Sequence, residues 1–356
     1  MPSLCIVGAG AAGLAAAHAL ADSSLSVTVA EKSRGLGGRA ATRWRDAPDA
    51  AGAPFRWRYD HGAQYASPPE GTRAYRLLTE RLDTDGLVRI ERPVWPFGDD
   101  GTLRPDQARA EGAPRLTYRD GIADLGRRLA DATPGLDLRR QTRVAHLAKT
   151  PAGWAVTDTE GAQVGRFDAV LFTPPPPQTL GLVAASAMDD APRDALLAGL
   201  RPASYRRQFT VVLAFPEGAP RPEPYALVNP SGGHAVAWLA VESDKPGRAP
   251  EGATLFLAQM APAWTDARYD ADRDAVVRDA TAEIESLVGA LPEPAWADTQ
   301  RWRYALPDTA ADPDALAPAE AAGLFAAGDA IAGQGRVHLA LESGLAAADR
   351  IRGFLG

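Results

Sequence analysis

The chain has 356 residues, 46% of them hydrophobic and 23% charged, which is ample for a large core and for two interleaved domains. A formal charge of −7 and a pI near 5.4 argue against a nucleic-acid binder, and the lack of a basic tail or long charge run argues against an acidic membrane surface as a partner. The single cysteine, Cys5, cannot form an internal disulfide, no signal-peptide pattern precedes the first apolar run, and no stretch reaches the ~18 uninterrupted apolar residues of a membrane span, so a cytoplasmic setting is expected with Cys5 as a small core residue.

Leu4-Cys5-Ile6-Val7 is too short for a helix and suits a buried parallel strand. Gly8-Ala9-Gly10-Ala11-Ala12-Gly13 follows, then an alanine-rich helix from Leu14 to Ala21. A polar turn, Asp22-Ser23-Ser24, leads to a second strand, Val27 to Ala30, closed by Glu31. Strand, glycine turn, helix, strand and acid in this order are what dinucleotide binding requires. Gly8 permits the tight turn, Gly10 lets the backbone approach a pyrophosphate, and Gly13 lets the helix pack on the strand. The helix start at Ala11 and Ala12 offers N–H groups and partial positive charge to the phosphates. Glu31 is placed to accept from the adenosine ribose hydroxyls, and Lys32 beside it joins the same set.

Arg34-Gly35-Leu36-Gly37-Gly38-Arg39 comes next. Gly38 and Arg39 close a loop that resembles the second flavin signature of the amine oxidase superfamily. The resemblance implies FAD, with the loop crossing the pyrophosphate and Arg39 facing phosphate or ribose. Tyr59-Asp60-His61-Gly62-Ala63-Gln64-Tyr65 resembles a segment beside the flavin ring in the renalase family of that superfamily. This implies His61, Gly62, Ala63 and Gln64 at the cofactor, and Gln64 and Tyr65 as catalytic candidates.

The Pro- and Gly-rich stretch from Ser67 to Leu116 is expected to complete the substrate cavity. Tyr118-Arg119-Asp120-Gly121-Ile122 resembles the start of the helix that feeds the next strand, and Val144 is assigned to the cofactor set. Asp168 to Pro174 resembles the strand where the chain leaves the flavin domain. Pro174-Pro175-Pro176-Pro177 then reads as a stiff, extended exit.

Phe209 to Phe215, Ala235 to Val241 and Leu255 to Ala258 suit antiparallel strands of a substrate domain, with His234 and Trp238 as catalytic candidates lining its cavity. Asp272 to Leu291 reads as a helix whose Val276, Val277, Ala280, Ile284, Leu287, Val288 and Leu291 share one core-facing side. Gln300 to Tyr304 resembles the renalase family's late Trp-Arg strand, and Ala310 to Ala322 reads as a loop. Leu324 to Ala330 resembles the closing flavin motif. This implies Gly328 and Asp329 at the cofactor, with Asp329 bonding ribityl or phosphate-side groups. The helix opening near Arg336 and Val337 aims its N–H groups at flavin N1 and O2.

These resemblances span nearly the whole chain. They imply an α/β fold: a Rossmann-type FAD-binding domain like those of amine oxidases and p-hydroxybenzoate hydroxylase, interleaved with an α+β substrate domain built on an antiparallel sheet. The expected division gives 1–66, 117–176 and 298–356 to FAD, and 67–116 and 177–297 to substrate. Only one dinucleotide motif is present, so electrons are expected to reach the flavin directly from a small-molecule substrate and leave to dioxygen.

Amine oxidation in this superfamily commonly uses a lysine near flavin N5, but the matching strand here reads Tyr205-Arg206-Arg207-Gln208-Phe209. The renalase resemblance instead implies oxidation of the 2- and 6-dihydro isomers of NAD(P)H, whose pyrophosphate Arg206, Arg207 or Arg248 could attract. An amine, porphyrinogen or polyene substrate, and a flavin-bound regulatory protein without turnover, are the alternatives. The five histidines lack metal-ligand spacing, so no metal is expected, and the FAD is expected to be non-covalent.

Overall fold

The computed structural model describes residues 1–108 and 112–356; residues 109–111, inside the stretch assigned to the substrate cavity, lie outside the described residues. Strand β1 (Ser3–Val7), helix α1 (Ala11–Ala19) and strand β2 (Ser26–Glu31) form the expected opening unit. Next come the hairpin β3 (Arg43–Pro48) and β4 (Pro54–Tyr59), and a short helix, α2 (Arg73–Arg76). Three brief strands follow: β5 (Leu87–Arg89), β6 (Val94–Pro96) and β7 (Leu116–Tyr118). The chain returns through α3 (Asp124–Asp131) to β8 (Asp137–Arg140). An antiparallel meander, β9 (Val144–Thr150), β10 (Gly153–Asp158) and β11 (Gln163–Phe167), leads into β12 (Ala169–Phe172).

The second half holds α4 (Pro176–Ala184), α5 (Asp190–Leu200), β13 (Ser204–Phe215), β14 (Ala226–Val228), β15 (Val236–Val241) and β16 (Thr254–Met260). Helices α6 (Pro262–Ala267) and α7 (Arg273–Val288) precede β17 (Trp296–Thr309). The end is α8 (Ala317–Ala321), β18 (Leu324–Ala326) and α9 (Val337–Leu355).

Two sheets organise the molecule. The first is parallel, in the order β18-β12-β1-β2-β8, so the strands on either side of β1 lie on opposite sides of a switch point, where dinucleotides bind. Both faces of such a sheet are covered, which is why Leu4, Cys5 and Ile6 are all fully buried. Burial also pushes the Cys5 thiol up to about 12, so it stays protonated and inert at neutral pH. The second sheet runs β17-β13-β16-β15-β14-β6 and is antiparallel except where β6 meets β14. One of its faces packs Val211, Leu213 and Phe256 against Val276, Ala280, Ile284 and Leu287 of α7. The other packs Val212, Leu257 and Trp296 against Trp57 and Tyr59 of β4.

Three sequence expectations change. Pro176 and Pro177 open α4 instead of extending the exit, because proline fits the first turn of a helix, where its missing N–H costs nothing. The stretch Ala310 to Ala322 contains α8, anchored by buried Leu316 and Ala319 in the core beneath α5. The boundary at residue 298 falls inside β17, which hydrogen-bonds to β13 from Trp296 to Thr309 and so belongs to the six-stranded sheet. Asp272 caps α7 by accepting from the Ala275 N–H, and the helix ends at Gly289, where φ is 89°.

Candidate cofactor and substrate site

The two glycine loops lie against each other. Gly37 N–H donates to the Ala9 carbonyl at 2.8 Å, and a Cβ on Gly38 (φ 61°) would sit 3.2 Å from the Gly10 Cα. A Cβ at Gly13 would overlap the Gly8 carbonyl oxygen, so helix and strand approach as closely as backbones allow. At Gly10, by contrast, a Cβ meets nothing within 4 Å, leaving open space in front of the α1 N-terminus. No side chain caps α1 or α9, and neither first turn holds an acidic residue. Two helix starts are thus left for a ligand's phosphates and flavin edge to satisfy.

Glu31 accepts from Ala9 N–H at 2.8 Å on one oxygen and from Ser33 N–H at 2.7 Å on the other. Each oxygen keeps a further acceptor site, as a ribose diol needs. Arg39 forms a bidentate pair with Asp329, at 2.6 and 2.7 Å, although the two are 290 residues apart. The pair neutralises a carboxylate that would otherwise repel a pyrophosphate. Space, donors and charge therefore fit FAD. Arg39→Ala and Glu31→Ala are each expected to weaken FAD retention by roughly tenfold or more. Flavin-to-protein absorbance after gel filtration measures this, and wild-type retention in both variants would remove these residues from the grip.

Among the other expected cofactor residues, Val144 is buried in the core between β9 and α4, and Lys32 reaches outward to Gln178 at 3.2 Å. Arg336 is the exposed N-cap of α9, directly before Val337. Gly328 and Asp329 follow β18 at the edge of the parallel sheet. Ala11 and Ala12 form the first turn of α1.

The segment from His61 to Gln64 joins the two sheets. Ala63 N–H donates to the Arg39 carbonyl at 2.9 Å, fixing the segment to the second glycine loop. From the six-stranded sheet, Thr210 and Trp302 donate to the His61 carbonyl at 2.9 and 3.0 Å, and Gln259 donates to the Gly62 carbonyl at 2.8 Å. His61 stacks on Trp302, with ring centroids 5.3 Å apart. Burial and the Arg43 charge push its pKa down to about 4, so it is neutral at physiological pH.

Three of the four catalytic candidates, Gln64, Tyr65 and Trp238, gather around Tyr225, and His234 stands apart. Trp238 pairs with Gln259 in the sheet register and packs against Tyr65 and Tyr225, at centroid distances of 6.1 and 6.3 Å. Gln64 is turned inward. Its amide nitrogen donates to the Asp60 carbonyl, and its oxygen accepts from the Tyr225 hydroxyl at 3.3 Å. His234 lies on the other side of the sheet, edge-on to Phe97 at 5.1 Å in the core under α7. Its Nδ1 accepts from Val236 N–H at 2.9 Å.

Beneath Gln64 is a group of four charged side chains that the sequence did not single out together. Asp60, Glu242, Lys245 and Arg248 are all completely buried. Lys245 contacts Asp60 at 2.9 Å, Glu242 at 2.8 Å and the Gln64 carbonyl at 2.9 Å, while Arg248 contacts Asp60 at 2.8 Å. Burial pushes the Asp60 carboxyl up, but Arg248, Lys245 and the Thr42 hydroxyl outweigh it and hold it below its ordinary value. Burial wins at Glu242 and raises it. Arg248 is therefore not at a cavity mouth, as the sequence suggested. Arg206 is paired with Asp308 at 2.6 Å, and Arg207 lies over the Tyr269 ring at 4.3 Å. Among the described residues no cluster of His, Cys, Asp or Glu could hold a metal, and no helix is long and apolar enough to cross a membrane.

A switch-point nucleotide grip facing an antiparallel sheet defines an FAD-dependent oxidoreductase. Residues 97–352 match the flavin containing amine oxidoreductase family, and residues 6–81 match an NAD(P)-binding Rossmann-like domain. The chain belongs to the flavin containing amine oxidoreductase family. Its fold is shared with a protein assigned as a protoporphyrinogen oxidase from Exiguobacterium sp. 255-15 (TM-score 0.75, 16% identity, 98% of each chain covered). It is also shared with cyclohexylamine oxidase from Brevibacterium oxydans IH-35A (TM-score 0.70, 15% identity, 98% of each chain). Reduced UDP-galactopyranose mutase is similar too, with a TM-score of 0.73 and 13% identity over 99% of this chain and 96% of that one.

Proposed function

We propose that the protein oxidises the 2- and 6-dihydro isomers of NAD(P)H to NAD(P)+, with dioxygen reduced to hydrogen peroxide. The bound flavin supplies a two-electron acceptor for the substrate's hydride. The observation that carries this reading is the disposition of the lysines. The chain has three, Lys32, Lys149 and Lys245. Lys32 bonds Gln178, Lys149 lies 4.8 Å over the Trp154 ring, and Lys245 is enclosed by Asp60, Glu242 and Gln64. None is left to serve as the base-positioning lysine that amine oxidation in the superfamily commonly uses. A dihydronicotinamide is already a hydride donor and needs no such base. The chain's own contribution is then to bind and shield: Trp238 and Tyr65, their rings tilted 55° to each other, give an aromatic wall for the substrate, and the Thr210 hydroxyl and Gln259 amide N–H hold the His61 and Gly62 carbonyls.

The second reading is an amine or porphyrinogen substrate. The same aromatic wall favours it, as do fold relatives named for such substrates. Anaerobic stopped-flow bleaching of the flavin separates the two. Fast reduction by 6-dihydro-NAD and slow reduction by NADH and by a panel of amines is the expected result. Fast reduction by an amine with none by the dihydro isomer would overturn the proposal.

A further inference from the structure

The Asp329 carboxylate is held from three directions. Arg39 supplies two of them, Nη1 to Oδ2 and Nη2 to Oδ1. The third donor is the Tyr205 hydroxyl, 2.8 Å from Oδ1. Tyr205 belongs to β13 in the six-stranded sheet, not to the nucleotide unit. Its ring lies 5.3 Å from the Arg39 guanidinium and edge-on to Tyr304 at 6.0 Å. Arg39 also donates to the Ala305 carbonyl of β17 at 3.0 Å, so both charged members of the grip are tied to the second sheet. Burial raises the Tyr205 hydroxyl above its ordinary pKa, which keeps it a donor throughout the physiological range.

A carboxylate offers about four acceptor sites. The three bonds fill Oδ1 and leave one site on Oδ2, whose one partner, Arg39, closes the second glycine loop. We propose that Tyr205 is a cofactor-positioning residue supplied by the substrate sheet: its hydroxyl fixes the Asp329 carboxylate so that Oδ2 remains turned to the hydroxyl-bearing chain of FAD. Cofactor retention then depends on the seating of the six-stranded sheet, and the grip closes across both units.

The test is Tyr205→Phe, which keeps the ring against Arg39 and Tyr304 and removes only the hydroxyl. FAD dissociation constants and the unfolding midpoints of apo and FAD-loaded protein are measured, with Tyr304→Phe as the neighbouring control. Loss of one charge-assisted hydrogen bond that acts on cofactor geometry predicts a roughly tenfold rise in the dissociation constant. The apo midpoint is expected to fall slightly, because the bond is already made without cofactor, while the upshift given by a fixed FAD concentration shrinks. Tyr304→Phe is expected to bind FAD as wild type does. A wild-type dissociation constant in Tyr205→Phe, with apo and loaded midpoints falling equally, would reduce Tyr205 to a packing residue and overturn the proposal.

Discussion

Lys245→Met is expected to lower the unfolding free energy by about 3–5 kcal/mol, the cost of leaving a buried ion cluster without one of its partners. The methionine fills a similar volume, so the loss is electrostatic and not a cavity effect. Wild type sets two cations, Lys245 and Arg248, against Asp60 and Glu242, all without solvent contact. Without Lys245, two carboxyl groups share one guanidinium, and Glu242 loses the ion pair that opposes the burial raising its pKa. Adding Glu242→Gln removes the stranded charge, so the double variant is expected to recover on the order of 2 kcal/mol relative to Lys245→Met. Urea unfolding of Lys245→Met, Glu242→Gln and the double variant measures this. Additive losses, with no recovery in the double variant, would show that the four groups do not act as a unit. The cluster matters for the site because it fixes its floor: Asp60 and Gln64 bracket the segment that the nucleotide loop and the sheet both grasp.

Gly344→Ala is expected to produce the other large effect. Gly344 lies in α9 where that helix crosses α1, and a Cβ there would overlap the Ala12 carbonyl oxygen. Backbone is in the way, not a flexible side-chain tip, so the helices must separate, at a cost of about 1–3 kcal/mol. Both helices aim uncapped N-termini toward the cofactor region, so displacing one against the other also weakens FAD retention. Gly353→Ala in the same helix is the control. A Cβ there meets nothing within 4 Å, and the better helix former is expected to be neutral or to stabilise by up to about 1 kcal/mol. Melting curves and flavin content distinguish the pair. If Gly344→Ala and Gly353→Ala behave alike, the close crossing of α1 and α9 does not support the cofactor.

The readings that transferred from sequence to structure are local ones. The first glycine turn and its flanking elements follow from contiguous residues: short apolar runs make buried strands, alanine makes helix, and glycine permits φ near 102° at Gly8. Tyr205 lay in a strand that the sequence did locate, but its role was hidden by a bulge. Strict alternation counted back from Thr210, which reaches the His61 carbonyl, would turn Arg206 toward the nucleotide unit. The register shift between Arg206 and Gln208 turns Tyr205 there instead. A second shift, between Val236 and Trp238, explains why His234 faces the α7 core while Trp238 faces Tyr65.

By itself, then, the sequence determined the parallel nucleotide unit and the antiparallel strands of the second sheet, because these rest on backbone geometry and periodicity over short spans, while FAD came from the resemblance of the Gly38-Arg39 and Gly328-Asp329 motifs to flavin signatures. Only the tertiary structure decided which side chains meet. Asp60 finds Lys245 and Arg248 across 185 and 188 residues, and Arg39 finds Asp329 across 290. Such contacts depend on strand register and sheet packing, and a single bulged residue is enough to exchange the two faces of a strand.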